Sequence, residues 1–488
     1  MSVAYEVVIG LEVHAQLLSK SKLFSPASTA FGSPPNTQIS PVCLALPGAL
    51  PVPNEGAVRM AVQAALALGC QIRPTSRFDR KHYFYPDLPK GYQISQFERP
   101  YSEDGEVIVE VDGKSRRIRI QRIHMEEDAA KNIHGAGTAQ ETLVDFNRSG
   151  VPLIEIVTHP DLRSADEAEA YLKRLREVLL FIGVNDGNLE EGSFRCDANV
   201  SLRPVGQEEL GTRVELKNIN SFRFVRKALE FEIARQEAVL AAGGKVDMET
   251  RTWSEGQGKT LIMRGKEEAH DYRYFPDPDL PPLVIADALV TDLRNTLPEL
   301  ADSKRARWQK DLGLTAADAQ VLTAHPRIAE FFDETVALFA QGKPNNETAQ
   351  HGKRVANFVQ AEVLRHTKTA GLEASFPVTP TQVVELLLLV EDGTISGKMA
   401  KDVFASMLQS GKGASSIVKD QGLIQVTDTA TIEAEITTIL NANPEKVAQY
   451  KAGKTSLLGF FVGQVMRATQ GSANPKLVND VLKRLLDG

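Results

Sequence analysis

"EVIVEVDGKSRRIRIQRIHMEED", residues 106–128, decides how this chain folds. Val107, Val109 and Val111 recur with the period of two that places them on one face of a strand. Asp112-Gly113 is a two-residue hairpin turn signal, and "SRRIRIQRI" can return as the partner strand. The period continues into "IHMEED". Ile123, Met125 and Glu127 share one face; His124, Glu126 and Asp128 take the other. A histidine and three acids thus crowd into five positions, which like-charge repulsion opposes. Three things would gather them: a solvated turn, a general acid/base pair, or a cation that neutralises them.

Around this hairpin, residues 1–294 read as a mixed unit with many strands and few helices, which favours α+β over a doubly wound parallel sheet. One helix is "AVRMAVQAALALGC" (57–70). A stronger one is "SADEAEAYLKRLREVLLFIG" (164–183). Ser164 and Glu167 make a capping box there, Ala168, Leu172, Leu175, Leu179 and Ile182 a stripe, and Gly183 a stop. Prolines crowd "FPDPDLPPLV" (275–284), and from 295 the pattern is helical. A second seam at "KDQGLIQVTDTA" (419–430) separates a helical unit, 295–425, from a small helical tail, 426–488.

The 488 residues, 42% apolar and 24% charged, fit a soluble globular protein of several domains. No apolar run is long enough to span a membrane, and no basic-then-apolar leader opens the sequence, so a cytoplasmic protein is expected. Cys43, Cys70 and Cys196 are scattered and form no CxxC pair, which argues against a disulfide framework or structural zinc. The net charge of −7 argues against diffuse coating of nucleic acid. Residues 441–488 nevertheless hold seven Lys/Arg against three Asp/Glu. The helix "NPKLVNDVLKRLLDG" turns Leu477, Val481 and Leu485 inward and leaves Lys476, Lys483 and Arg484 free: a solvated face, or a contact for a polyanion.

"EGQGKT" (255–260) ends like a phosphate-binding loop, but Trp253 stands where that pattern needs glycine. No nucleophile elbow or paired-histidine zinc motif is present. What recurs instead is carboxylates mixed with cations on strand-like segments. "VVIGLEVHAQL" puts Glu12 and His14 on one face. "EEGSFRCDANVSLRP" holds Asp197 beside Arg195 and Arg203, and "RVELKNINSFRFVRK" pairs Glu215 with Lys217. Each segment alone reads as exposed strand charge. Together, oxygen ligands with at most one imidazole suit Mg²⁺ better than Zn²⁺, with neighbouring cations for phosphate oxygens.

"GLEVHAQL", "KLFSPA", "HYFYPDLPKGYQISQ", "HMEEDAAK", "DFNRSGVPLIEIVT", "LEEGSFRCDANVSLRP", "ELKNINSF" and "DYRYFPDPDLPPL" closely resemble the B-subunit family of tRNA-dependent amidotransferases, from Val7 to the C-terminus. The resemblance implies a cradle-shaped α+β domain, a helical domain and a small helical tail, whose basic face is then expected to contact tRNA phosphates. It implies a ligase that uses ATP and Mg²⁺ to phosphorylate the side-chain carboxylate of misacylated Glu-tRNA(Gln) or Asp-tRNA(Asn). Ammonia then displaces phosphate, supplied by an amidase-type A subunit that a small C subunit clasps to this chain in a heterotrimer.

Carried onto this sequence, the Mg²⁺ ligands are Glu12, His14 and Glu127, with Asp197 and Glu215 nearby. Glu126 and Asp128 either support them from behind or are merely exposed. Arg195, Arg203 and Lys217 are expected on phosphate. Some relatives carry paired cysteines near Cys43; Ser40 stands in the partner's place here, so no zinc is expected. Two rival readings remain: a non-catalytic tRNA-binding or assembly subunit, and a metal-dependent phosphotransferase acting on a small molecule.

Overall fold

The computed structural model describes residues 4–134, 141–264, 272–342, 348–423, 429–469, 473 and 475–487. A first compact unit runs from Met1 to Ala301. It reaches past residue 294 because the helix Asp287–Thr296 packs on Glu55–Ala67, where Arg59 meets Asp292 at 3.0 Å.

The unit is built on a nine-stranded sheet. In spatial order its strands are Lys259–Arg264, Glu249–Ser254, Val214–Lys217, Phe194–Pro204, Tyr5–Gln16, Pro152–Thr158, Lys114–Glu127, Ser102–Val111 and Gln71–Ile72. Neighbours are antiparallel except Val214–Lys217 with Glu249–Ser254. That parallel pair is joined through the helix Phe222–Ala241, the kind of crossover parallel strands require.

The hairpin forms where the sequence places it. Val111 pairs with Lys114, and Asp112 and Gly113 take φ of 51° and 71°. Two successive positive φ values are the mirror-image turn that matches strand twist. A register shift between Val157 and Thr158 changes the returning strand's phase. Ile118 and Ile120 face the core before it, Ile123 and Met125 after it. The bulge therefore fixes which of the acids in "HMEED" point outward.

The sheet has two unlike faces. Leu11, Val13, Met125, Ile154, Ile156, Cys196 and Ala198 enter one apolar core with the helices Glu55–Ala67, Ala165–Phe181 and Phe222–Ala241. All five stripe residues of the 164–183 helix are buried. Ser164 accepts from Glu167 N at 3.1 Å and Gly183 ends the helix at φ 72°. The reciprocal half of the capping box differs: Glu167 accepts from Arg163 N, one residue earlier than the motif implies. The opposite face carries Glu12, His14, His124, Glu126, Glu155, Arg195 and Asp197. A small sheet of Asp79–His82, Tyr92–Ser95 and Phe275–Pro276 stands against its margin, with Met125 N donating to Gln96.

Among its described residues the second unit, Asp302–Gly488, is helical apart from one two-stranded hairpin, Lys368–Ala370 with Glu373–Ser375. Strands of three residues carry too little periodicity to be read in advance. Trp308 is buried and donates to Asp333 at 2.8 Å. Residues 424–428, the middle of the expected second seam, lie outside the described residues. Beyond them the helices Thr429–Asn441, Pro444–Lys451, Leu458–Ala468 and Pro475–Asp487 share their own apolar core. The last helix is turned slightly from expectation: Val478, Val481, Leu482 and Leu486 are buried, with Leu477 and Leu485 at the margin.

No described helix is long and apolar enough to cross a membrane. Leu175→Ala, deep in the core beneath the sheet, should cost about 2–5 kcal/mol of stability. Urea unfolding of the purified protein measures it as a lower midpoint.

Candidate functional site

The central strand Tyr5–Gln16 fixes the site because both its neighbours contribute in register. His14 lies opposite Glu155 on one side and Arg195 on the other, and Glu155 lies opposite His124. Glu12 lies opposite Asp197. Sheet pairing alone thus draws the polar side chains of four strands into two adjoining rows.

In one row, His14 Nε2 is 3.2 Å from Glu155 and 3.6 Å from Glu126. His124 Nε2 is 3.4 Å from the same Glu155 oxygen. Ligand atoms of His14, Glu126 and Glu155 all lie within 4.8 Å of one another. In the other row, Glu12, Asp197 and Glu215 satisfy the same spacing. There the ammonium of Lys217 sits 2.6 Å from Asp197 and 3.1 Å from Glu215. Asn199 donates to Glu12 at 3.1 Å.

These rows border a cleft of about 330 Å³. Cations surround it: Lys81, Arg148, Arg195 and Lys217. Asp128 anchors two of them, with Arg195 at 3.1 Å and Arg148 at 3.7 Å, and accepts from Gln16 at 2.8 Å. Burial would push the Asp128 carboxyl up, but Arg195 and Arg148 overcome it and hold it below the usual range. Burial would likewise lower His14, yet Glu155 and Glu126 keep it above its ordinary value. Glu155, flanked by His124 and His14, stays well below the carboxylate range despite burial. Glu12 goes the other way. Burial, then the charge of Glu155, hold it above its normal value. A carboxyl raised in this way marks local excess negative charge, which a divalent cation would relieve. The oxygen-rich donor set with one imidazole fits Mg²⁺.

The chain's family follows from comparison. The family described as "GatB/GatE catalytic domain" matches residues 7–291, and "GatB domain" matches residues 343–486. This chain belongs to that family. It is 54% identical to the B subunit of the aspartyl/glutamyl-tRNA(Asn/Gln) amidotransferase of Geotalea uraniireducens, over 99% of this chain and all of that one. The protein of the same name from Syntrophotalea carbinolica is also 54% identical, over the whole of both chains. That from Thermodesulfovibrio yellowstonii is 51% identical over 99% of each.

Most of the residues expected from the amidotransferase motifs meet here: Glu12, His14, Asp197 and Glu215 in the two rows, Arg195 and Lys217 at the cleft wall. Glu127 does not. The pleat sends it away from His124 and Glu126. Its carboxylate accepts instead from Ile94 N at 3.0 Å and from the Lys90 ammonium. The neighbouring Glu126, expected only as support, joins His14 and Glu155 in the cluster instead, and neither it nor Asp128 is exposed. Arg203 also stands apart, at the far end of its strand, bonded to Glu6 at 2.7 Å and to Glu208 O.

Sequence reading missed Glu155, Lys81 and Arg148, and it grouped His124 with Glu126 without giving it a role. Glu155 carried a usable signal: it is the one acid in the apolar strand "PLIEIVT". Lys81 comes from the separate Asp79–His82 strand, so only tertiary structure brings it in. Next to Cys43, the Ser40 hydroxyl lies at 3.2 Å and the Lys22 ammonium at 3.3 Å. In the second unit Lys483 and Arg484 are exposed, and Arg484 pairs with Glu433 at 2.5 Å. The side chain of Lys476 lies outside the described residues.

Two outcomes follow for cation binding, read with Mn²⁺ as a paramagnetic probe. Glu126→Gln should weaken binding by more than about tenfold, while Glu127→Gln should leave it near wild type. Circular dichroism confirms that both variants fold. Binding should also strengthen as pH rises through and above 6.5, because the cation must displace the proton that Glu155 and Glu126 hold on His14.

Proposed function

We propose that this chain activates the side-chain carboxylate of misacylated Glu-tRNA(Gln) or Asp-tRNA(Asn) by transferring the γ-phosphoryl group of ATP to it. The acyl phosphate is then opened by ammonia, giving the amide and inorganic phosphate. The observation that carries this reading is the cluster of half-buried His14 with buried Glu126 and Glu155 beside a cleft ringed by Lys81, Arg148, Arg195 and Lys217.

A carboxylate is a poor electrophile because its oxygens leave poorly; phosphorylation supplies a better leaving group. The obstacle is bringing an anionic carboxylate to an anionic nucleotide. Lys81 and Lys217 oppose that repulsion. Glu126 and Glu155 hold Lys81 protonated against its burial, and Asp197 and Glu215 do the same for Lys217. His14, Glu126 and Glu155 would hold the Mg²⁺. The ion supplies charge neutralisation and alignment of phosphate oxygens when bound. Glu12, Asp197 and Glu215 extend the acidic surface toward Lys217. The attacking carboxylate needs no general base, being ionised at neutral pH.

Among the described residues this cleft holds no nucleophile for glutamine hydrolysis: Cys196 turns into the core and burial pushes its thiol well up. Ammonia therefore comes from a partner, in this reading an amidase-type A subunit held with a small C subunit in a heterotrimer. The reaction belongs in the cytoplasm, with tRNA charging.

An isotope experiment tests the central step. With ¹⁸O in the side-chain carboxylate of the charged tRNA, the released phosphate should carry one ¹⁸O atom. Unlabelled phosphate with normal amide formation would rule out the acyl phosphate. The tail, 426–488, is assigned to tRNA phosphates through Lys476, Lys483 and Arg484. Replacing the three by Ala should raise the KM for charged tRNA and flatten its salt dependence, since each lost phosphate contact lowers the slope by about one. An unchanged slope would make the tail a structural appendage.

A further inference from the structure

Arg122 stands two residues before His124, opposite Val157. Its guanidinium has no carboxylate partner among the described residues. Nε is buried without a hydrogen bond, and the polar contact it does make is a long one, from Nη1 to Phe97 O at 3.4 Å. At the cleft wall, by contrast, Arg148, Arg195 and Lys217 are each tied to a carboxylate, and Lys81 is held by the charge of Glu126 and Glu155. A guanidinium left this way beside an acidic site has the donors for an incoming anion.

Beside Arg122 runs a strip of aromatic rings. The guanidinium carbon lies 5.6 Å from the centre of the Phe97 ring. Phe97 stacks on Tyr274 at 4.2 Å with the planes 7° apart. Tyr274 meets Tyr272 at 6.1 Å, and Tyr272 meets Tyr83 at 6.0 Å. Tyr83 lines the cleft. At the outer end, Phe97 is 42% exposed. A large apolar ring held open to solvent next to an uncompensated cation is the chemistry that receives single-stranded nucleic acid, whose bases stack and whose phosphates pair with arginine.

We propose that Phe97, Tyr274 and Arg122 form the platform for the single-stranded 3′ end of the tRNA, a base stacking at Phe97 and a phosphate on Arg122. The strip Tyr274, Tyr272 and Tyr83 then leads the aminoacyl end to the cleft. This inference rests on the proposed function, because it takes the substrate carboxylate to be carried on tRNA.

The test uses the complex with its partner subunits and measures binding of charged tRNA without ATP, alongside the same tRNA lacking its 3′-terminal nucleotides. Phe97→Ala and Arg122→Gln should each weaken binding of the intact tRNA about tenfold, the scale of one stacked base or one charged contact, and leave the truncated tRNA unaffected. Arg122→Lys should recover part of the loss. Arg122→Gln alone should lower the salt slope by about one.

Equal affinity of wild type and variants for the intact tRNA would overturn the platform, as would an equal loss for both tRNAs. A rise in the KM for ATP with tRNA binding unchanged would also overturn it, placing a nucleotide there instead. A wild-type complex that binds tRNA but forms no amide would contradict the proposed function and not the platform.

Discussion

The arrangement of this site depends on one buried ion cluster, the carboxylate of Glu155 set between the imidazoles of His14 and His124. A carboxylate enclosed by protein is costly unless neighbouring charges and hydrogen bonds compensate it, and breaking such a pair costs about 3–5 kcal/mol. Here the compensation comes from the adjacent strands on either side, through residues directly opposite in the ladder. A slip of one residue in either pairing would turn every one of these groups into the apolar core. The same register that buries Val13, Ile123, Met125, Ile154 and Ile156 beneath the sheet therefore holds the polar cluster above it.

The surplus of acid over base in the two rows gives the cleft its chemistry. Glu155 is satisfied by two imidazoles, Asp128 by Arg195 and Arg148, and Asp197 by Lys217. Glu12 is left carrying the excess, visible as a carboxyl held above its ordinary value. A divalent cation would complete this balance, and the surrounding lysines and arginines would meet the anions it brings together. Carboxylate activation demands that division: negative ligands for the metal, positive walls for phosphate.

Much of this was legible in the sequence. The hairpin at Asp112-Gly113, the 164–183 helix and the even-residue face of "IHMEED" all follow from local rules that tertiary packing left intact. Alternation already placed His124 and Glu126 together and Glu127 opposite; the family motif alone had favoured Glu127, and two adjacent acids in a motif differ only by the face they take. Glu155 was hidden by its own strand, whose isoleucines announce core. Arg203 was grouped by type and proximity in sequence, but eight residues along an extended strand carry it far from Arg195. Lys81 and Arg148 enter from segments whose approach depends on the whole sheet.

The central claim is that His14, Glu126 and Glu155 together hold the catalytic cation. Anomalous diffraction from crystals grown with Mn²⁺ and a non-hydrolysable ATP analogue tests it most directly. The expected result is an anomalous peak within coordination distance of His14 Nε2 and of carboxylate oxygens of Glu126 and Glu155, with the phosphate chain facing Lys81 and Arg195. A peak bound by Glu127, or a nucleotide with no cation at the three residues, would contradict it.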